Sequence, residues 1–259
     1  MCELFAMNSK FPTDVNFSLQ EFARHSGEPG LHKDGWGVAF AMHRDFKVIK
    51  EPMPARDSAC VQYIEHQGIR SEVVISHIRK ASSPKVLTYE NTHPFDRELY
   101  GRRVVFAHNG HVPDLHTLPR FGQGRFMPMG QTDSEQIFCY LLNRIVEHIP
   151  DPAEYNEWRV HEVLAEYSPR IRALGKFNFL FSDGQYLFAH GDTSLYSVCR
   201  SCHLEHQVLE DEELRVLVSH GTGQDVGIVA TVPLTPDEAW SKFEPGEIRI
   251  FRDGKAVLG

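Results

Sequence analysis

Residues 177–190 read FNFLFSDGQYLFAH. Two short apolar runs, 177–182 and 186–190, flank Asp183-Gly184, a dipeptide suited to the tight turn of a β-hairpin. A hairpin is predicted here, and strand-like runs follow it at 195–199, 214–219, 226–231 and 247–251. Two helices precede it. The first opens at Thr132, where Thr132 and Glu135 have capping-box spacing and Ile137, Tyr140, Leu141 and Ile145 recur at helical period. The second is expected over 157–174, broken or bent at Pro169, which has no N–H for the helical ladder. Towards the N-terminus, residues 2–7, 35–42, 46–50, 73–78 and 103–107 read as strands, with 46–50 the hairpin partner of 35–42. Short helices are expected at 18–25 and 59–66. Many strands around two long central helices predict an α+β fold with helices packed on sheets.

The chain has 259 residues, with 27 Lys and Arg against 35 Asp and Glu, a net charge of −8. The charge is spread along the sequence, which excludes a broad cationic face for nucleic acid. No run approaches the ~18 apolar residues of a membrane-spanning helix. The first residues, Met1 to Phe5, show no basic segment followed by a long apolar one, so the expected address is cytoplasmic. Five cysteines, an odd number without an export signal, argue against a disulfide framework. No repeat or low-complexity linker interrupts the chain, and residues 1–259 are expected to form one domain.

Four short clusters carry chemistry. Cys2 follows the initiator Met, His77-Ile78-Arg79 ends one apolar strand, His108-Asn109-Gly110 ends another, and Thr132-Asp133-Ser134-Glu135 opens the helix. Each alone has an ordinary reading: a small buried thiol, a surface ion pair, a turn, a carboxylate favoured by the helix dipole. Together they describe an active site. With Met1 removed, the chain begins with a thiol that carries its own α-amine. That amine, with an ordinary pKa of about 7.7–8.0, suits a general base near neutrality. A thiol of pKa ~8.5 needs only modest help to become the nucleophile. An Asn amide and a following Gly N–H supply two oxyanion donors. Arg and Asp together recognise the carboxylate and ammonium of an α-amino acid.

These residues resemble the class II glutamine amidotransferases of the N-terminal-nucleophile hydrolase superfamily, most of all the stand-alone amidotransferase-like proteins. The resemblance runs through Cys2, Asp34-Gly35-Trp36-Gly37, His77-Ile78-Arg79, Asn91-Thr92-His93-Pro94, His108-Asn109-Gly110 and Thr132-Asp133-Ser134-Glu135. Gly175-Lys176-Phe177-Asn178-Phe179 and Pro245-Gly246-Glu247 extend it less specifically. It implies a four-layer αββα sandwich of two stacked, mainly antiparallel sheets between helical layers. It implies that Cys2 attacks a γ-glutamyl amide to form a thioester, that Asn109 and Gly110 make the oxyanion hole, and that Arg79 and Asp133 hold the substrate's α-carboxylate and α-amine. His93 stands where the family has a pocket-lining histidine, and residues 81–88 fall in the loop that closes over glutamine. Two departures stand out. After Arg79 this chain has Lys80-Ala81-Ser82-Ser83 where synthase-linked relatives have Trp-Ala-Thr-His, so Ser82 would replace the Thr hydroxyl. Leu31-His32-Lys33 replaces an Arg-Gly turn.

The implied enzyme is an amidohydrolase releasing glutamate and ammonia or an amine, without cofactor or metal, and glutamine is the family's default substrate. At this length no fused synthase domain is expected. Ammonia would then pass to a separate synthase subunit, or the substrate would be another γ-glutamyl peptide or thiol compound. A non-catalytic interaction subunit keeping the fold is the reading from another class. No membrane or nucleic-acid partner is expected. Cys199-Arg200-Ser201-Cys202-His203 fits a haem-attachment pattern, and His206 adds a fourth zinc-type ligand. Haem attachment needs export, and the four ligands are crowded, so both are set aside. Gly221-Thr222-Gly223 has no good helix after it and reads as a loop.

Overall fold

The structure, a computed structural model, describes residues 2–14, 34–79, 87–202 and 223–258. The helix expected at 18–25, the strand at 214–219, the departures at 31–33 and Ser82, and His203, His206, Gly221 and Thr222 lie outside the described residues.

Among the described residues, thirteen strands form two sheets. The first, in spatial order, is β11(Ser241–Lys242), β9(Tyr196–Cys202), β10(Gln224–Ala230), β1(Glu3–Asp14), β4(Arg70–Ile78), β2(Trp36–Met42) and β3(Asp45–Glu51). The second is β13(Lys255–Leu258), β12(Ile248–Arg252), β8(Leu187–His190), β7(Lys176–Ser182), β6(Arg102–His111) and β5(Phe95–Leu99). Every pairing is antiparallel. The predicted hairpin is β7–β8, paired from Ser182↔Leu187 onward. Gly184 takes φ +91°, and Asp183 Oδ1 accepts from the N–H groups of Gln185 and Tyr186. The β2–β3 hairpin also stands as expected, closing at Met42↔Asp45.

The period-two alternation of strands sorts side chains into layers. Leu4, Ala6, Ile75, Val105, Ala107 and Leu180 point between the sheets and form the central core. Phe5, Met7, Val74 and Ile78 face outward, under helix α1(Ala59–Gln67) with its buried Ile64. Val104, Phe106, Phe177 and Phe179 face helices α2(Asp133–His148) and α3(Glu157–Arg172). The layers are therefore helix, sheet, sheet, helices. Each fully buried Phe or Leu contributes about 1.5–3 kcal/mol by leaving water.

Helix α3 continues through Pro169, where a break or bend was expected. It ends at Arg172, and the Ala173 N–H still donates to the Pro169 carbonyl. Strand β5 was not anticipated, because Asp96, Arg97 and Glu98 at its centre hide the apolar pattern of an edge strand. No described helix is long and apolar enough to cross a membrane.

Candidate active site

The inter-sheet rows of side chains run on towards one end of the sandwich. Asn109 lies one step beyond Ala107 on β6, and His77 one step beyond Ile75 on β4. Cys2 precedes β1, and Arg79 follows β4, whose Ile78 pairs with Glu3. The Asn109 Nδ2 donates to the Cys2 carbonyl at 2.5 Å, so the two sheets meet at these residues. The amide carries a second proton beside the one given to Cys2. Gly110 permits a close approach. A Cβ there would lie 1.8 Å from the Lys176 carbonyl oxygen and 2.5 Å from His108 Nε2.

Arg79 is buried to 8% exposure, and its N–H donates to the Gly35 carbonyl at 2.8 Å. Burial pulls the guanidinium below its ordinary pKa, against the opposing pull of Cys2, Asp34 and Asp133. An arginine so placed stays charged at neutral pH. Asp34 is a neighbour whose role the motif reading left unassigned.

Asp133 is the first residue of α2. Its Oδ1 accepts from the Ser134 N–H and its Oδ2 from the Val112 N–H, both at 2.8 Å. The carboxylate is thus fixed between the end of β6 and the helix, with 25% of the side chain exposed. His111 Nδ1 lies 3.4 Å from Oδ2 on the solvent side. Thr132 caps the helix by accepting from the Glu135 N–H at 3.2 Å. Glu135 does not complete the capping box. Its carboxylate accepts from Met129 N–H at 3.0 Å and Gly130 N–H at 2.6 Å, and pairs with Arg97 at 2.5 Å. Buried His108 joins the strand to the helix. Its Nε2 faces the Lys176 carbonyl at 3.2 Å, so it donates there, and Nδ1 accepts from Ser134 Oγ at 2.9 Å. Burial holds this imidazole below its ordinary pKa, in its neutral form.

His93 is buried. It stacks on His77 with ring centroids 4.0 Å apart and tilts against Phe95 at 4.5 Å. Burial, reinforced by the neighbouring His77, His108, Arg79 and Lys50, drives its pKa well below the usual histidine range. It forms a neutral wall behind Arg79. Lys50 Nζ bolts its loop to β3 through the Thr92 and Pro94 carbonyls at 2.8 and 3.2 Å. Gly37 is required there, because a Cβ would lie 2.2 Å from the His93 carbonyl oxygen.

Cys2, Arg79, Asn109, Gly110 and Asp133 thus come together, with His93 behind them, while Ser82 falls outside the described residues. A cavity of about 560 Å³ opens elsewhere, beside Asn8, Arg44, Arg70, Glu72 and Arg102, and none of the site residues lines it. Among the described residues no His, Cys, Asp and Glu group is arranged to hold a metal ion.

A model of the family "Glutamine amidotransferases class-II" matches residues 1–259. The chain belongs to the class II glutamine amidotransferases. It is an enzyme of that family, 37% identical over 260 residues to YafJ of Escherichia coli (strain K12), named as a candidate glutamine amidotransferase. That match covers 100% of both chains. A similarly named protein of Haemophilus influenzae is 35% identical, over 99% of this amidotransferase and 86% of the relative. The crystal structure of a predicted glutamine amidotransferase from Pseudomonas aeruginosa PA01 is 30% identical, with a TM-score of 0.72 over 100% of each chain. A glutamine phosphoribosylpyrophosphate amidotransferase of B. subtilis shares the fold at 15% identity, with a TM-score of 0.62 over 98% of this chain and 48% of that one.

Proposed function

We propose that this amidotransferase is a Cys2-dependent amidohydrolase that cleaves a γ-glutamyl amide, with glutamine as its default substrate. The observation that carries the proposal is the Asn109–Cys2 hydrogen bond, in a site that also holds the buried Arg79 and the fixed Asp133 carboxylate. Removal of Met1 frees the Cys2 α-amine. The amine takes the thiol proton, and the thiolate adds to the γ-carbonyl carbon. The carbonyl oxygen becomes an oxyanion between the Asn109 amide and the Gly110 N–H. As the C–N bond breaks, the α-ammonium returns its proton to the departing nitrogen, and ammonia or an amine leaves. Water, deprotonated by the same amine, then hydrolyses the thioester to glutamate. Arg79 holds the α-carboxylate and Asp133 the α-ammonium throughout.

This arrangement specifies the γ-glutamyl half of the substrate and leaves the leaving amine open. A γ-glutamyl peptide or thiol compound would fit the same contacts as glutamine. Ammonia, when it is the product, would serve a separate acceptor subunit. The test is glutamate release from glutamine and a panel of γ-glutamyl amides, using protein whose mass verifies a Cys2 terminus. Release that disappears in Cys2→Ala is expected. No release from any member of the panel overturns the proposal.

A further inference from the structure

We infer that Asn178 is a positioning residue of the oxyanion hole: its side-chain amide holds the Asn109 carbonyl and so aims the Gly110 N–H, a role that rests on the function proposed above.

Asn178 lies on β7 directly opposite Asn109 and is fully buried. All its hydrogen-bonding groups are engaged. Nδ2 donates to the Asn109 carbonyl at 3.0 Å and to Thr193 Oγ1 at 2.9 Å. Oδ1 accepts from the N–H groups of Asp192 at 2.9 Å and Thr193 at 3.0 Å. The orientation of the amide follows from these partners. Flipped, the carbonyl would face the Asn109 oxygen and the NH₂ would face two N–H donors. The loop that anchors it is itself tied down. Asp192 accepts from the Phe177 N–H at 3.1 Å and pairs with Arg172 at 2.5 Å.

The consequence follows from peptide geometry. In a trans peptide the C=O of residue 109 and the N–H of residue 110 lie in one plane and point in opposite directions. Fixing the carbonyl towards β7 points the Gly110 N–H to the other flank of β6. On that flank β5 pairs with β6 only from Phe95↔Phe106 to Leu99↔Arg102, so residues 107–111 run past its end. The N–H therefore points to the flank that β5 leaves unpaired, while the Asn109 side chain of the same strand end reaches Cys2. Without the Asn178 side-chain donor the Asn109 carbonyl keeps only its ladder pairing with β7, so the peptide plane is held less tightly, and a donor tilted from the developing oxyanion loses part of its effect.

Asn178→Asp is the sharpest test. It keeps the size and the two acceptor contacts to Asp192 and Thr193, and it replaces the NH₂ that serves Asn109 and Thr193 Oγ1, of which the Thr193 hydroxyl can turn to donate to the new carboxylate whereas the Asn109 carbonyl cannot. On Cys2-terminal protein it should lower kcat for the best γ-glutamyl substrate by about 10- to 100-fold with KM within twofold. Asn178→Ala should do the same. Iodoacetamide provides the structural readout. Its reaction with Cys2 forms an S–C bond and expels iodide without building an oxyanion, so the alkylation rate should match the wild type. Thr193→Val removes the other acceptor of the Asn178 amide without touching the Asn109 carbonyl and should stay within threefold of wild-type kcat. Wild-type kcat in both Asn178 variants overturns the inference. So does a parallel loss of hydrolysis and alkylation, or an equal loss in Thr193→Val, since each marks a merely structural role. Failure of the wild type to release glutamate overturns the underlying function instead.

Discussion

The side-chain amide of Asn109 donates to the main-chain carbonyl of Cys2, joining residues 107 positions apart across the two stacked sheets. The contact sets the residue that would attack beside the residue that would receive the developing charge. It also makes the state of the N-terminus decisive, because a Cys2 nitrogen bonded to Met1 is an amide and cannot act as a base.

Active enzyme should therefore begin at Cys2. Intact-mass analysis and N-terminal sequencing of active material decide the matter. Full activity in molecules that all retain Met1 would sink the mechanism. An electrophilic glutamine analogue should label Cys2, and not Cys60, Cys139, Cys199 or Cys202, in peptide maps of the Met1-free protein. Cys139 is the least reactive of the described alternatives, since burial pushes its thiol up to about 11.

The two halves of the site should separate kinetically. Asn109→Ala is expected to lower kcat by about 10²–10³, because an oxyanion donor acts on the transition state. Arg79→Ala should chiefly raise KM for small substrates, because carboxylate binding is common to ground and transition states. An unchanged kcat in Asn109→Ala would remove Asn109 from the oxyanion hole.

Asp133 should enforce a free α-amine. N-acylated glutamine takes away the charge that the carboxylate would pair with, and kcat/KM should fall by at least about 10²-fold, in line with leaving a polar group unpaired. Asp133→Asn should narrow that discrimination while leaving discrimination at the α-carboxylate intact. Competition assays with glutamine, its N-acetyl derivative and its α-amide measure both. Equal rates for glutamine and N-acetylglutamine in the wild type would contradict the assignment.

Stability should fall as the solution is acidified below about pH 6.5. His190 donates from Nδ1 to the Phe177 carbonyl at 2.7 Å, and burial pushes its pKa down to about 4. The unfolded chain takes up this proton near pH 6.5, where the folded protein still excludes it. Full stability is thus present above pH 6.5 and is lost progressively down to pH 4. The single site accounts for up to about 3 kcal/mol across that window, and His93 and His108 act in the same direction. Urea unfolding at pH 7.5, 5.5 and 4.5 should show the decline, reduced in His190→Gln. A flat profile would mean that these imidazoles titrate normally in the fold.

Glu135→Ala should destabilise the protein by about 3–5 kcal/mol, because Arg97 loses its buried counter-charge and two loop N–H groups lose their acceptor. Glu135→Gln should fall between this variant and the wild type. Thermal unfolding of the three proteins provides the comparison. Equal melting temperatures would show that water replaces the carboxylate.

Much of the architecture was legible along the chain. Asp183-Gly184 between two apolar runs marks a hairpin wherever it stands, because the turn's backbone angles are a local preference. Thr132 marks a helix start for the same reason. Edge elements were less legible. Strand β5 carries three charged residues in five, and Lys255–Leu258 forms a strand only because β12 lies beside it. The capping-box spacing foretold the Thr132 cap but not the destination of Glu135.

The sequence by itself determined what depends on neighbours in the chain. This includes the alternating rows that sort side chains between the sheets and the helices, the helix that starts at Thr132, and the ordered motifs from Cys2 to Asp133. Only the tertiary structure decided which of these meet. Glu135 sits three residues after its cap, yet it bonds to Arg97 and the 129–130 loop, because a buried carboxylate is stabilised most by a cation and free N–H groups. Asn178 is one apolar-flanked amide in a strand until pairing sets it opposite Asn109. Local spacing encodes backbone preference, whereas the registry of two stacked sheets is settled by the packing of their shared core, and the site lies where those sheets meet.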